Sequence, residues 1–313
     1  MPKSIAETAK NCNGKNKVLL REVSPEHQVW DEAKESAEGV ALAYFTDTEL
    51  ERYGKEISAC SNWIVLNFCK VGSEVIRRVS SMKCRVRHCP ICQRARSMKL
   101  LKEMKEGLGL LLKDYPKNKW VFLTLTVPNC EMGDLKDVLS EMNKAWQRLI
   151  KRKKFSIIKG WLRSTEVTKG KSKDNTAHPH FHVLLFVPSY YFGNGYIKQE
   201  NWASLWQSCM RLEVTPIVDV RAVKDVEGGL KEVIKVAHYS VKPTEITSDP
   251  EWFTDFHRQV FKKRFLAKGG LLKDYLKAVK EEDLDTEEGE EGEIILEGVR
   301  FNWDKEIKRY AKN

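Results

Sequence analysis

Two spacings of hydrophobic residues alternate between residues 120 and 243, one with the period of a strand and one with the period of a helix. Turn-forming and helix-breaking residues separate the periodic runs. The predicted elements are a strand at Trp120–Val127, a helix at Asp134–Arg152, strands at Ile157–Val167 and Phe181–Val187, a helix near Gln199–Met210, a strand at Val214–Val220, and a helix from Gly228–Gly229 to Pro243. This order is βαββαβα.

The βαββαβα order predicts an α+β fold with a ferredoxin-like antiparallel sheet and helices on one of its faces. That scaffold carries many unrelated activities, so it indicates no function by itself. A helix is predicted to precede it, at about Ser97–Leu112.

The flanking regions divide the rest of the chain by composition. Residues 60–92 combine cysteines with short apolar runs such as WIVLNF, which indicates small strands and turns around a metal. The predicted domains are an N-terminal segment at 1–55, a small zinc-binding module at 56–98, the α+β domain at 99–245, a basic and aromatic helical extension at 246–280, an acidic linker at 281–293 and a C-terminal tail at 294–313.

Charge is distributed unevenly along the 313 residues. Lys plus Arg number 54 and Asp plus Glu number 44, for a net charge of +10. The run EEDLDTEEGEEGE at 281–293 holds nine acids and no base, so without it the net charge rises to +19. Such a basic body is typical of nucleic-acid binding. The acidic run is predicted to be a solvated linker, and the alternative is a regulatory mimic of DNA.

The N-terminal residues lack the apolar core of a secretory signal, and no run approaches the roughly 18 apolar residues of a membrane span. We therefore expect a cytoplasmic protein with no membrane partner. In a reducing compartment a cysteine cluster indicates metal binding rather than disulfides.

The CPIC tetrapeptide places two thiolates toward one ion, as in zinc knuckles. Cys84, Cys89 and Cys92 are the predicted ligands of a structural Zn²⁺, and Cys60 and Cys69 compete for the fourth position. The arginines around this cluster are suited to phosphate contacts on a rigid module. The predicted DNA-contacting residues are Arg85, Arg87, Arg94 and Arg96 here, and Arg148, Lys151 and Arg152 in the basic run RLIKRKK, whose alternative is a solvated helix end.

Three histidines in the string HPHFHVLLFV carry the most information. If the strand at Phe181 extends backwards, His180 and His182 are two residues apart and project from the same face, where they can share one metal ion. Phe181 then packs on the opposite face. His178 is either an outer group of the site or part of the turn into the strand.

The chain resembles the HUH endonucleases in two motifs, the strand FLTLTV and the triplet His180-Phe181-His182. With STEVT upstream, and with the cysteine string CRVRHCPICQRARS, residues 60–245 are similar to the Rep initiators of small rolling-circle plasmids. The resemblance implies an HUH-type nuclease domain and a catalytic Mg²⁺ or Mn²⁺ held by the histidine pair and a carboxylate. Glu166 is the candidate because its strand would pair with the histidine strand, and the alternative is a surface acid.

The segment LKEVIKVAHYSVKPTE resembles the third motif of the same family, which carries a tyrosine nucleophile. On a helix, Tyr239 and Lys242 are neighbours, so the ammonium can stabilise a phenolate or a phosphate. The resemblance implies that Tyr239 nicks one strand at a single-stranded or hairpin site of the plasmid origin. The products are a 5′-phosphotyrosine and a free 3′-OH that primes a host polymerase, with a host helicase as partner.

One position departs from the family pattern. A glutamate often lies one helical turn before the tyrosine, but here that residue is Lys235, and Glu232 is the nearest substitute. The way replication ends is therefore left open, and so is the possibility that Tyr190 or Tyr191 is the nucleophile. Two other functions compete: an HUH transposase or relaxase, and a zinc-ribbon DNA-binding regulator without catalysis.

Overall fold

The computed structural model of the chain describes residues 17–170, 175–223, 241–276 and 294–312. Over these residues the protein is α+β with two antiparallel sheets, which confirms the predicted class. The chain divides into two compact units, one formed by Met1–Arg96 with Lys280–Asn313 and the other by Ser97–Val279. Within the described ranges no helix is both long enough and apolar enough to span a bilayer.

The first unit contains a five-stranded sheet in the order β1-β11-β10-β2-β3. Its elements are β1 (Val18–Leu19), α1 (Leu20–Val23), α2 (Val29–Tyr44), α3 (Glu51–Ala59), β2 (Trp63–Val71), β3 (Glu74–Ser80), β10 (Ile294–Asp304) and β11 (Arg309–Lys312). Helix α4 (Pro90–Asp114) contributes its first residues to this unit and the remainder to the second.

Residues 294–312 form strands β10 and β11, where the sequence analysis expected a tail. The reason is an alternating pattern in which Val299 and Phe301 are buried between polar neighbours, as a half-buried strand requires. Tyr310 ties the last strand to the unit, because its hydroxyl donates to the Ser61 carbonyl at 2.6 Å and its backbone N–H donates to Asp31 at 2.8 Å.

The second unit contains the sheet β8-β4-β7-β6-β9, with β5 paired to β7. Its remaining elements are β4 (Lys119–Thr126), β5 (Cys130–Glu131), α5 (Leu135–Ile150), β6 (Gly160–Lys169), β7 (Thr176–Val187), α6 (Gln199–Met210), β8 (Val218–Val223), α7 (Pro243–Ser248), α8 (Pro250–Val260), β9 (Leu266–Gly270) and α9 (Leu271–Tyr275). The described part of the predicted order is therefore present, and its last helix lies outside the described residues.

Several element boundaries differ from the prediction, and three of the differences have a local cause. Helix α4 begins at Pro90, because the fixed φ of proline suits the first helical turn. Strand β6 begins only at Gly160, since residues Lys153–Ile157 form a 3-10 helix. Strand β8 begins after Pro216, which has no N–H to donate to a ladder.

The two faces of the second sheet are covered differently. One face carries Phe181, whose ring packs against Trp146 of α5 and Trp206 of α6. The other face is apolar at one end, where the core consists of Met104, Leu108, Leu111, Trp120, Phe122, Leu162, Leu184, Phe186, Leu272 and Leu276. At its other end that same face is polar, and it carries the candidate site.

Candidate functional site

The register of strands β6 and β7 brings the predicted ligand residues together. Glu166 is paired directly with His180, and Ser164 is paired with His182. Directly opposed residues of antiparallel strands project to the same face, so both imidazoles and the carboxylate share one surface of the sheet. The interpretation of His180 and His182 as same-face neighbours, with Phe181 opposite, agrees with this placement.

Both imidazole rings converge on one carboxylate oxygen. Oε2 of Glu166 lies 2.8 Å from Nε2 of His180 and 3.0 Å from Nε2 of His182. The three side chains are only 11, 13 and 15 % exposed for His180, Glu166 and His182 respectively. All three ligand atoms lie within 4.8 Å of one another, so one ion could contact all of them.

The Nδ1 atoms of His180 and His182 make contacts that fix the orientation of the two imidazole rings. Nδ1 of His180 lies 3.3 Å from the His178 carbonyl oxygen, which can only accept, so Nδ1 is the donor. Nδ1 of His182 lies 3.3 Å from the Thr124 hydroxyl. Contacts of this kind orient imidazole ligands of metals, and they direct both Nε2 atoms toward Glu166.

His178 itself is not one of the three converging groups. Its Nδ1 lies 2.7 Å from Oδ1 of Asn129, and its backbone carbonyl holds His180. Its ring lies 5.5 Å from that of His180, so it adjoins the three converging groups without being one of them.

Charge at the site favours an ionised Glu166. Burial alone would raise the pKa of this carboxyl, but hydrogen bonds from His180 and His182, together with their positive charge, hold the pKa well below its usual range. An anionic oxygen with two imidazole nitrogens is a donor set that suits a divalent cation. The residues present thus fit the ion that the sequence analysis expected.

A second cluster lies in the first unit, where four sulfur atoms meet. Cys60, Cys84, Cys89 and Cys92 have their Sγ atoms within 4.8 Å of one another. The Sγ of Cys92 is 3.7 Å from that of Cys60 and 3.6 Å from that of Cys84. Four thiols at this spacing are the donor set of a structural tetrahedral site. Cys69, buried in β2, is not a member, so Cys60 is the fourth residue.

The cysteine cluster has its own hydrogen-bond donors. The backbone N–H of Cys84 donates to Sγ of Cys60 at 3.4 Å, and that of Arg85 donates to Sγ of Cys92 at 3.2 Å. Arg85 adopts a positive φ of 61°, which turns its N–H toward the sulfur. Hydrogen bonds from the other three thiols lower the pKa of Cys60, whereas the hydrogen bond with Cys60 raises the pKa of Cys84 and burial raises that of Cys89. In the cluster as it stands, negative charge is therefore favoured on Cys60.

A fully buried lysine adjoins this cluster. Nζ of Lys34 donates three hydrogen bonds of 2.8 Å each, to the carbonyls of Ser58 and Cys60 and to Oδ1 of Asn62. Burial lowers the pKa of Lys34, whereas the negative charge of Cys60 raises it. The sequence offers no signal for this residue, because a lysine in an amphipathic helix is usually at the surface.

The predicted DNA-contacting residues differ in exposure and in their hydrogen-bond partners. Arg85 and Lys151 are exposed, whereas Arg96 donates to the Arg85 carbonyl at 2.7 Å. Arg148 donates to the Cys209 carbonyl and pairs with Glu141, and Arg152 donates to Ser208. Arg87 and Arg94 are half-buried.

The predicted nucleophile and its helical neighbours fall outside the described residues, namely Tyr239, Glu232 and Lys235. Lys242 is described and lies exposed immediately before α7. The alternative tyrosines follow the far end of β7, where Tyr191 is fully buried and Tyr190 is 61 % exposed. His182 is five residues before that end, or roughly 16 Å along a strand. Both tyrosines are thus removed from the candidate site.

Comparisons with known proteins give the chain a family and several relatives. The family model described as "Replication protein" matches residues 76–311. A "Protein rep" of Streptococcus pneumoniae serotype 2 (strain D39) is 32% identical over 239 residues, covering 74% of this chain and 72% of that protein. A "Protein rep" of Lactiplantibacillus plantarum is 33% identical over 287 residues, covering 86% of each. A "Protein rep" of Bacillus amyloliquefaciens is 35% identical over 235 residues, covering 68% of this chain and 67% of that protein.

No solved structure matches the chain significantly. The matched family region contains every residue of the histidine and carboxylate site and three of the four clustered cysteines. The predicted resemblance to the Rep initiators of rolling-circle plasmids is therefore confirmed, and the chain belongs to the replication protein family.

Proposed function

We propose that the protein initiates rolling-circle replication by binding the plasmid origin and nicking one DNA strand with Tyr239. The observation that carries the proposal is the convergence of His180 and His182 on Glu166. A regulator that only binds DNA does not require two imidazoles and a carboxylate placed so that one metal ion can contact all three. A transposase or relaxase would use the same chemistry, but the relatives are named for replication.

The strand order supports an HUH-type ferredoxin-like domain. Counted along the chain, β4, β6, β7 and β8 are the first to fourth strands, and they stand in the sheet in the order fourth, first, third, second. Helix α5 connects the first strand to the second and α6 connects the third to the fourth. That is the connectivity of the split βαβ fold.

His180, His182 and Glu166 would hold a Mg²⁺ or Mn²⁺ ion on the polar end of the sheet face. When bound, the divalent ion polarises the scissile phosphate and stabilises the negative charge that develops on it. Glu166 supplies the anionic ligand, and the His178 carbonyl and the Thr124 hydroxyl keep the imidazoles turned toward it. The protein thereby fixes the position of one phosphate.

Tyr239 is proposed to attack the phosphorus of that phosphate. The phenol loses its proton, a bond forms between its oxygen and phosphorus, and the bond from phosphorus to the 3′ oxygen breaks. The 3′ oxygen takes up a proton and becomes the free 3′-OH that primes a host polymerase, while the 5′ phosphate stays on the tyrosine. The ammonium of Lys242 offsets negative charge during the attack. Reversal of these steps rejoins strands, and a host helicase would separate them.

The four-cysteine cluster is proposed to bind Zn²⁺ as a structural ion. Its support is the number and spacing of the sulfur atoms and the backbone N–H groups aimed at them. Arg85, exposed beside Cys84, is then held on a rigid loop that can contact the DNA backbone. We also propose that the protein recognises its plasmid origin specifically.

The test is a nicking assay with labelled single-stranded DNA from the protein's own plasmid origin, in Mn²⁺ or in EDTA. We expect a covalent protein–DNA adduct in Mn²⁺ that is absent in EDTA and absent in Tyr239→Phe. Tyr190→Phe is the matched control and should form the adduct at the rate of the unmodified protein. Tight origin binding with no adduct would favour the regulator, and loss of the adduct only in Tyr190→Phe would move the nucleophile there.

A further inference from the structure

One carboxylate oxygen of Glu245 is buried without a hydrogen bond. Its Oε2 has no hydrogen-bond partner among the described residues. Glu245 lies in the first turn of α7, where its backbone N–H donates to the Lys242 carbonyl at 3.0 Å. Burying an ionisable oxygen without a donor is costly, so such a group in a native protein calls for a partner beyond the described part of the chain.

Two contacts tie this segment to the strands of the candidate site. Asp249, one turn after Glu245, forms an ion pair with Lys169, which is three residues beyond Glu166 in β6. The indole N–H of Trp252 donates to the Thr176 carbonyl at 3.0 Å, at the start of the strand that carries His180. The junction between α7 and α8 is therefore fixed beside the ends of β6 and β7.

The electrostatic neighbours of Glu245 include the site itself. Burial raises the pKa of the Glu245 carboxyl, and a hydrogen bond from the Lys242 backbone N–H, together with the charge of Lys242, lowers it. The negative charge of Glu166 raises this pKa, and His180 lowers it. Glu245 is not among the three residues whose ligand atoms lie within 4.8 Å of one another. It is thus close enough to interact with the site, but it does not reach the point where the three ligands meet.

These observations fit an indirect contact with the ion. A carboxylate can only accept hydrogen bonds, so the partner of Oε2 must be a donor or a cation. Metal-bound water is a strong donor, and carboxylates commonly hold such water beside divalent ions that retain part of their hydration. We propose that Glu245 is a fourth protein group of the metal centre and that it accepts a hydrogen bond from a water molecule bound to the ion.

This inference rests on the proposed metal centre, so the experiment tests the two separately. Mn²⁺ binding to zinc-loaded, full-length protein is measured by isothermal titration calorimetry for the unmodified chain and three variants. Glu166→Gln tests the centre itself, Glu245→Gln tests the fourth group, and Glu251→Gln is the matched control in the neighbouring helix, where the side chain is exposed. Melting temperatures with and without Mn²⁺ accompany each titration.

We expect Glu166→Gln to abolish Mn²⁺ binding and Glu245→Gln to weaken it by about 10- to 100-fold, the usual effect of losing an outer group of a metal site. Glu251→Gln should bind as the unmodified protein does. Without Mn²⁺, Glu245→Gln should melt no lower than the unmodified protein, because the glutamine oxygen can still accept the Lys242 backbone N–H while a half-buried charge is removed. The variant should gain less thermal stability from added Mn²⁺.

Each remaining outcome counts against one of the two ideas. No Mn²⁺ binding by the unmodified protein would remove the proposed metal centre. Binding lost in Glu166→Gln but unchanged in Glu245→Gln would overturn the role of Glu245 alone. Weaker binding in Glu245→Gln that appears only together with a lower melting temperature in the absence of Mn²⁺ would also overturn it, since Glu245 would then be structural. Glu245→Asp, which keeps the charge, should recover part of the lost affinity.

Discussion

Replacing Lys34 with methionine should destabilise the first unit and weaken its hold on zinc. Lys34 is fully buried, and its three N–H donors are all used at 2.8 Å. Methionine keeps the length of the side chain but leaves the three acceptors buried without a donor. It also removes an ammonium group that interacts favourably with the negative charge of Cys60, the interaction that raises the pKa of Lys34.

The expected loss follows from these hydrogen bonds. A hydrogen bond to a charged group contributes about 1.5–3 kcal/mol, and the variant loses three of them. Part of this loss is offset, because the variant does not have to bury a cation when it folds. The net loss should be about 3–5 kcal/mol, the usual result of removing one partner from a buried charged network. This is a large fraction of the roughly 5–15 kcal/mol that stabilises a folded protein.

Two assays check this prediction with one control. Urea unfolding gives the free energy of unfolding, and release of zinc to a chromogenic chelator gives the relative affinity of the four-cysteine cluster. Lys55→Met is the control, because Lys55 is 68 % exposed and its ion pair with Glu51 lies at the surface, where such pairs contribute roughly 0–1 kcal/mol. Equal stability and equal zinc retention in Lys34→Met and Lys55→Met would refute the reasoning.

Three further predictions concern the second unit. His182→Ala should weaken Mn²⁺ binding by about 100-fold or more and abolish nicking while the circular dichroism spectrum stays unchanged, and calorimetry showing unaltered affinity would contradict it. Glu166 has a pKa below its usual range, so its contribution to stability is present above the unfolded-state pKa of about 4.3 and is lost as pH falls below it. Urea unfolding without divalent metal should therefore show that the unmodified protein has a higher free energy of unfolding than Glu166→Gln at pH 5, and that this difference shrinks toward pH 3 or lower. A difference in free energy that stays constant with pH would count against the hydrogen-bonded carboxylate. Trp146→Ala should cost about 3–5 kcal/mol, since the ring is fully buried against Phe181, whereas exposed Tyr190→Ala should change stability by less than about 0.5 kcal/mol, and similar losses in both would argue against this core.

Local periodicity was enough to predict the parts of the site that lie on one strand. Residues two apart in a strand share a face, so His180 and His182 could be placed together from their spacing alone. Glu166 was harder, because its position opposite His180 depends on the register of β6 against β7, which the sequence does not reveal. The prediction relied on family resemblance at that step.

Long-range contacts explain what the sequence could not decide. Cys69 is nearer to Cys84 along the chain than Cys60 is, at 15 residues against 24, but Cys60 follows α3 beside the CPIC loop whereas Cys69 lies within β2. Glu245 and Lys34 also gave no signal, because each owes its role to burial against segments distant in sequence. Residues 294–312 were expected to be a tail, since their partner strand β2 is more than 220 residues away.

The position of the site follows from where one sheet face changes from apolar to polar. Along β4, the residues on this face are Trp120, Phe122, Thr124 and Thr126, and along β7 their partners are Phe186, Leu184, His182 and His180. The apolar half packs into the core with residues of α4 and α9, and the histidines beside it are only 11 and 15 % exposed. The ring of Phe122 lies 5.7 Å from that of His182, so the core directly adjoins the candidate site. A partly desolvated imidazole pair beside one ionised carboxylate strengthens any electrostatic contact with a cation or a phosphate, because the local dielectric is lower than in water. The same alternation along the strands that builds the core therefore also affects how strongly the site can interact with a cation or a phosphate.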